Sequence, residues 1–351
     1  MTQRQESPTD RTSTAGLDRR ELLALSTIFG TAFLAAQGLV ASDAPASRSP
    51  PRLVARRRAA PSRRYDMKKS INLWAFPYPQ RWTLAECLEI AKDAGFDGVE
   101  INFALDGEFS AESPAAEIED IRRLADRMGI AISGVCSFLF WPYALTSNDP
   151  EKRAKGMELA GKMIEAARLL RVRNLLVVPG AATAPWVADF DPVPNDVCLQ
   201  RAQDAVRQLL PRAEQAGVLL NIENIFMNGF LFSPQEMVAF VDSFQHPNAK
   251  VHFDTGNILQ YQRPEFWIPI LGQRIQNVHF KEWDSRTQEF NLHNFRTLLD
   301  GTTNWPAVAA ALDKVGYRGY LTFEYFHPFS HYPEALIYQA SDALDWILGA
   351  A

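Results

Sequence analysis

The chain has 351 residues, 47% of them hydrophobic, and a net charge of −5, which suffices for one large core-bearing domain plus an extension. The charge is only mildly acidic and no basic patch interleaves with aromatics, which argues against a nucleic-acid partner. Cys87, Cys136 and Cys198 are far apart and odd in number, so they supply neither a disulfide framework nor a zinc spacing.

Residues 1–46 read as a targeting segment. A polar leader ends in Asp18-Arg19-Arg20-Glu21-Leu22-Leu23, and an apolar run rich in Ala, Gly and Thr follows from Leu25 to Val40. That run is short for a spanning helix and only weakly apolar. Ala44-Pro45-Ala46 supplies the small residues of a cleavage site. The layout resembles a twin-arginine signal peptide, with Leu22 where Phe is usual and Ala24 replacing the usual Lys. An uncleaved anchor or a disordered tail is the competing reading. Residues 47–66, rich in Arg, Pro, Ser and Ala, read as a disordered linker. Together these segments predict a periplasmic or otherwise extracytoplasmic protein, exported folded, with no stable membrane insertion after export.

From Lys68 onward, strand and helix patterns alternate. The first strand is Ser70 to Ala75, ending at Trp74-Ala75. A helix from Thr83, its N-cap, to Lys92 stops at Gly95. Gly98–Asn102 is the second strand, and a helix from about Ser113 to Met128 ends before Gly129. Ala131–Ser137 is the third strand. Asp149-Pro150 opens a long helix to Leu170, with Pro at the first helical position. Asn174–Val178 is the fourth strand, and a Pro- and Ala-rich loop leads to a helix from Asp196 to Ala216. The fifth strand ends at Glu223. Ser233-Pro234-Gln235-Glu236 starts the next helix as a capping box. The sixth strand ends at Asp254 and the seventh at His279. After a long loop come a helix from Trp305 to Val315, a strand ending at Glu324, and a last helix to about Leu348.

The strands read as near-continuous apolar runs, as parallel strands buried on both faces do. Eight strand–helix units over residues 67–351 predict an α/β-class (β/α)8 TIM barrel, preceded by the export signal and the linker. A doubly wound sheet is the runner-up, but it would carry a Gly-rich turn after the first strand, and none is present.

In a barrel the C-terminal strand ends converge on one face. Val218-Leu219-Leu220-Asn221-Ile222-Glu223, Val251-His252-Phe253-Asp254, Ile275-Gln276-Asn277-Val278-His279 and Tyr320-Leu321-Thr322-Phe323-Glu324 each deliver a ligand-type side chain there. Three carboxylates and one imidazole, Glu223, Asp254, His279 and Glu324, suit a divalent cation, with Mn2+ leading and Mg2+ or Co2+ as alternatives.

The motifs Asn221-Ile222-Glu223-Asn224, Asp254-Thr255-Gly256-Asn257, Val278-His279-Phe280-Lys281-Glu282 and Phe323-Glu324 resemble those of the xylose isomerase-like sugar isomerase/epimerase superfamily. Gly95-Phe96-Asp97-Gly98-Val99-Glu100 resembles its second strand, and the resemblance runs from Lys68 to about Leu348. It implies a metal-dependent sugar isomerase or epimerase acting on a ketose or keto-sugar. Glu223 and Glu324 would be the catalytic pair on opposite sugar faces, and Asp254 and His279 would complete the metal site. The proton beside a carbonyl is weakly acidic, so the enediolate needs a Lewis acid beside the two bases.

One departure is notable. Free-ketose 3-epimerases usually carry a second His three residues after the Asp, where this chain has Asn257. The pattern is closer to the 5-phosphate 3-epimerase branch and to inositol-catabolism relatives, yet the export signal weighs against a phosphorylated substrate. Asn257, Lys281, Trp74 and Glu100 are candidate substrate-binding residues. For Lys281 a solvated or ion-paired lysine, and for Glu100 a buried structural hydrogen bond, are equal alternatives. Phe138, Phe140, Trp141 and Tyr143 read as loop packing, a sugar-stacking wall or a dimer contact. His252 reads as a core residue rather than a ligand, and His327 and His331 as surface loop residues. Two other functions remain open: a lyase performing β-elimination on 3-keto-glycosides with the same ion and glutamates, and a non-catalytic sugar-binding barrel. The expected partner is a small carbohydrate, with homo-oligomerisation left open.

Overall fold

The computed structural model describes residues 63–184, 187, 190–226, 229–286 and 292–349. The expected signal peptide and residues 47–62 of the expected linker lie outside the described residues. The last four residues of that linker, 63–66, pack on the folded domain instead. The backbone N–H groups of Arg64 and Tyr65 donate to Leu348 O at 3.0 and 3.3 Å, Tyr65 is buried, and Arg63 pairs with Asp97 at 3.0 Å.

Eight parallel strands close into a barrel: β1 Lys68–Asn72, β2 Gly98–Asn102, β3 Ala131–Cys136, β4 Asn174–Val177, β5 Leu219–Glu223, β6 Ala249–Asp254, β7 Ile275–Phe280 and β8 Tyr320–Phe323. Each strand pairs with its neighbours in sequence, and β8 closes on β1. The helices are α1 Leu84–Asp93, α2 Ala115–Met128, α3 Pro150–Leu170, α4 Asn195–Ala216, α5 Pro234–Asp242, α6 Pro264–Leu271, α7 Trp305–Lys314 and α8 Pro333–Ile347. This is the (β/α)8 TIM barrel that the alternation predicts. Among the described residues no helix is long and apolar enough to cross a membrane.

Local chemistry sets most boundaries. Thr83 and Ser233 open α1 and α5 with complete capping boxes to Glu86 and Glu236, which satisfies N–H groups that have no partner inside the helix. Gly129 and Gly217 end α2 and α4 in the left-handed region, at φ 66° and 68°, where a Cβ would be strained. Helix α6 has no counterpart in the sequence reading. It is short and carries Pro269 inside, so local propensity opposes it. Packing overrides propensity here: Trp267, Ile268 and Leu271 are buried, and Trp267 stacks on Phe253 of β6 at 6.0 Å.

The first strand is shorter than expected. Asn72 ends β1 and its side chain accepts from Trp74 N at 2.8 Å, capping a 3-10 turn over Leu73–Ala75. Trp74 therefore leaves the strand and meets Phe138 and Phe326, with ring centroids 4.3 and 5.1 Å away.

The strands are also less uniformly apolar than they read. Phe253, Phe280 and Phe323 point outward and are fully buried under the helices, each worth about 1.5–3 kcal/mol of apolar burial. The alternate positions form a polar lining. Ser70 and Ser133 share a 2.6 Å hydrogen bond, and Asn221 donates to Asn174 Oδ1 at 3.3 Å. Asn221, His252, Asn277 and Thr322 are fully buried, each two residues before a ligand-type side chain. The period of two thus places the four ligand-type residues one layer above this lining, toward the C-terminal mouth.

Candidate metal centre

Glu223 and Asp254 end β5 and β6, His279 lies near the end of β7, and Glu324 directly follows β8. One ligand atom from each lies within 4.8 Å of the others, and all four residues are buried. His279 Nδ1 stands 3.3 Å from Glu324 Oε1 and 3.9 Å from both Glu223 Oε1 and Asp254 Oδ2. It is a buried nitrogen without a hydrogen-bond partner, facing three carboxylates.

The strand ends are tied together around this point. Asp254 Oδ1 accepts from Gly256 N at 2.7 Å and Asn257 N at 2.9 Å, leaving Oδ2 for the cluster. Asn224 bonds both backbone groups of Asp254, accepting from N at 2.9 Å and donating to O at 2.8 Å, so β5 clamps β6. Thr255 Oγ1 accepts from Lys281 N at 3.0 Å, and Thr255 N donates to His279 O at 3.1 Å, so β6 clamps β7. Asn224 and Thr255 lie within the recognised motifs, but their roles are invisible before the strands are paired.

The electrostatics follow from burial. Burial, with Glu324 and Asp254 nearby, raises the Glu223 pKa well above the carboxylate range. Burial likewise raises Asp254 to about 6, although Lys281 opposes it. Burial pushes Glu324 up too, but the Lys281 and His279 charges outweigh it and its pKa lies below the usual value. His279 is pulled down by burial, yet Glu100 and Glu324 hold it well above an ordinary imidazole. Three buried carboxylates around one point repel one another, and a divalent cation relieves that repulsion. The partnerless Nδ1 and the oxygen-rich donor set fit such an ion.

The candidate substrate residues separate. Asn257 and Lys281 belong to the cluster. The Asn257 amide donates to Asn224 O at 3.0 Å and Glu223 Oε1 at 3.4 Å, and accepts from Lys281 Nζ at 3.1 Å. Lys281 Nζ also lies 2.7 Å from Glu324 Oε2 and 3.5 Å from Asp254 Oδ2. Its ammonium is therefore ion-paired inside the cluster, the geometry that one of the two readings of Lys281 expects. Its ammonium also sits 4.7 and 4.8 Å from the Phe295 and Phe326 rings. Trp74 reaches this region through Phe326 and is half-buried. Glu100 does not reach the open face: it is fully buried and receives His279 Nε2 at 2.6 Å. This is the geometry of the buried structural hydrogen bond, the alternative reading for this residue.

Glu100, His252 and His279 form a second group of ligand-type atoms. The 2.6 Å contact between Glu100 and His279 is a hydrogen bond. It is too short to seat an ion, which stands about 2 Å from each of its ligands. His252 meets the His279 ring edge-on at 4.0 Å, and both its nitrogens are buried without partners. Burial, with the His279 charge beside it, lowers its pKa well below the ordinary value, so it is a neutral core residue. His327 and His331 are exposed.

Sequence reasoning also missed Glu282. Its buried carboxylate accepts from Trp305 Nε1 at 2.6 Å, Trp283 N at 3.0 Å, Thr303 N at 3.1 Å, Leu299 N at 3.3 Å and the Thr303 hydroxyl. It anchors the loop after β7, where Glu282–Trp283 pairs with Phe295–Arg296 as an antiparallel ribbon. An acid inside the His-x-Lys-Glu run was the one available signal.

Comparison with known proteins places this geometry. The chain is 28% identical to an L-ribulose 3-epimerase of Methylomonas sp. (strain DH-1) over 188 residues, which is 52% of this chain and 60% of that protein. It therefore spans less than two thirds of that relative's length. An L-ribulose-5-phosphate 3-epimerase of Salmonella paratyphi C (strain RKS4594) is 23% identical over 282 residues, 78% of this chain and 91% of that one. The fold is similar to that of a D-psicose 3-epimerase crystallised in the presence of D-fructose, with a TM-score of 0.66, 20% identity, and coverage of 81% of this chain and 100% of that one. The model of the xylose isomerase-like TIM barrel family matches residues 88–347, and the chain belongs to that family.

Proposed function

We propose that the protein is a divalent-metal-dependent sugar epimerase or isomerase acting beside the carbonyl of a ketose or keto-sugar. The observation that carries this reading is the buried quartet, in which two glutamates, an aspartate and a histidine bring one ligand atom each within 4.8 Å of the others. The 3-epimerase relatives support it.

A divalent ion held by Glu223, Asp254, His279 and Glu324, with Mn2+ leading and Mg2+ or Co2+ as alternatives, supplies Lewis-acid neutralisation of the negative charge that develops on the substrate. One of Glu223 and Glu324 takes the proton from the carbon beside the carbonyl, and the other returns a proton on the opposite face, inverting that carbon. Asp254, with one oxygen locked by two backbone amides, and His279, with one nitrogen engaged by Glu100, hold their remaining ligand atoms still. Trp74 and Asn257 border the substrate. Burial of all four ligand-type residues limits water at the reacting carbon.

The test is solvent deuterium exchange by NMR on ketoses, L-ribulose and D-psicose among them, and on keto-glycosides, with and without Mn2+. Exchange at the carbon beside the carbonyl, lost by about 10²-fold or more in Glu223→Gln, is the expected result. Absence of exchange with every substrate sinks the reading. Release of an aglycone from a keto-glycoside instead assigns the β-elimination chemistry. We further propose export directed by residues 1–46, which favours an unphosphorylated substrate. A reporter fused to residues 1–50 that stays in the cytoplasm would overturn this.

A further inference from the structure

Beneath the quartet, the Glu100 carboxylate is fully buried and held from three sides. His279 Nε2 donates to its Oε2 at 2.6 Å, Asn72 Nδ2 to the same oxygen at 2.7 Å, and Asn277 Nδ2 to Oε1 at 3.3 Å. These partners come from β1 and β7, so strands that are not adjacent to one another fix one carboxylate. The backbone is adapted to the same end. The pairing of β2 with β3 shifts register between Val99 and Glu100, an irregularity of the kind that re-aims a side chain. Opposite it stands Gly134, where an added Cβ would sit 2.8 Å from Glu100 Oε1. A larger residue at that position would push the carboxylate out of place.

A neutral imidazole that gives one N–H to a carboxylate presents its other nitrogen as a lone pair in a fixed direction, and a cation at the quartet would displace the proton that the surrounding carboxylates otherwise favour on that nitrogen. In His279 that other nitrogen is Nδ1, the partnerless atom facing Glu223, Asp254 and Glu324. We propose that Glu100 is a positioning residue of the metal centre: it sets the tautomer and ring orientation of His279 so that Nδ1 is the ligand atom, with Asn72, Asn277 and Gly134 holding Glu100 in place. The inference rests on the quartet being a metal site.

The experiment uses the full chain in three forms, wild type, Glu100→Gln and Gly134→Ala, titrated with Mn2+ and followed by the EPR signal of free Mn2+. Gly134→Ala keeps every charge and every hydrogen-bonding group and displaces the tip of Glu100 from its partners. Glu100→Gln weakens Mn2+ binding by about 10- to 100-fold, and Gly134→Ala weakens it in the same direction. In the Mg2+-loaded wild type, a far-downfield proton of His279 Nε2–H reports the short hydrogen bond, and Glu100→Gln removes it. If Glu100→Gln does not fold, Gly134→Ala decides. Wild-type Mn2+ affinity in a folded Glu100→Gln, or in Gly134→Ala, overturns the positioning role while leaving the metal site standing. A wild type that binds no Mn2+ overturns the metal reading, and this inference with it.

Discussion

Lys281 Nζ lies 2.7 Å from Glu324 Oε2, and both groups are buried at the mouth of the barrel. This ion pair offsets part of the charge of three carboxylates, and it competes for the same oxygens that would face a cation. Lys281→Met should therefore have two opposite effects. Metal-free protein loses about 3–5 kcal/mol, because a buried partner is left uncompensated. Mn2+ binding tightens by about 100-fold or more, since unit charges about 5 Å apart interact by about 3 kcal/mol at an effective dielectric of about 20 and the ion carries two. Thermal midpoints with and without Mn2+ check both signs.

Loading the ion should stabilise the fold. A ligand at about 100 times its Kd contributes about 2.7 kcal/mol, which raises the midpoint of a domain this size by about 5 °C. Differential scanning fluorimetry with Mn2+ against EDTA measures it. The shift should vanish in Asp254→Asn combined with His279→Gln, which removes two of the four ligand-type groups.

Gly256 approaches Lys281 closely. An added Cβ would lie 2.7 Å from Lys281 Cγ and 2.9 Å from its carbonyl oxygen, so the neighbouring backbone must move. Gly256 N also donates to Asp254 Oδ1. Gly256→Ala should cost about 1–3 kcal/mol of stability and weaken Mn2+ binding. Urea unfolding and the Mn2+ titration read the two effects separately.

Glu282 carries a structural burden that its motif position does not announce. Glu282→Ala leaves several donors without an acceptor, each costing about 1–3 kcal/mol where water does not enter. A total loss of about 3 kcal/mol or more is expected in chemical denaturation. Hydrogen exchange should rise at Leu299 and Thr303, whose amides Glu282 holds, while the barrel strands stay protected.

The amino-acid sequence by itself determined the barrel and the four ligand-type residues. Strand and helix periods are local properties, and a barrel gathers the C-terminal ends of its strands on one face whatever the loops do. It also placed Asn257 beside the cluster, because Asn257 follows Asp254 within one tight turn. The tertiary structure decided what adjacency along the chain cannot express. Glu100 and His279 stand 179 residues apart, so only barrel closure brings that carboxylate onto the imidazole. The Lys281 ammonium meets Asn257, Asp254 and Glu324, which come from two other strand ends. Helix α6 forms in spite of its internal Pro269 because Trp267 has Phe253 to pack on. In each case the deciding energy is a buried side-chain contact between elements, made within one strand–helix unit for Trp267, between neighbouring strands for Lys281, and across the closed barrel for Glu100.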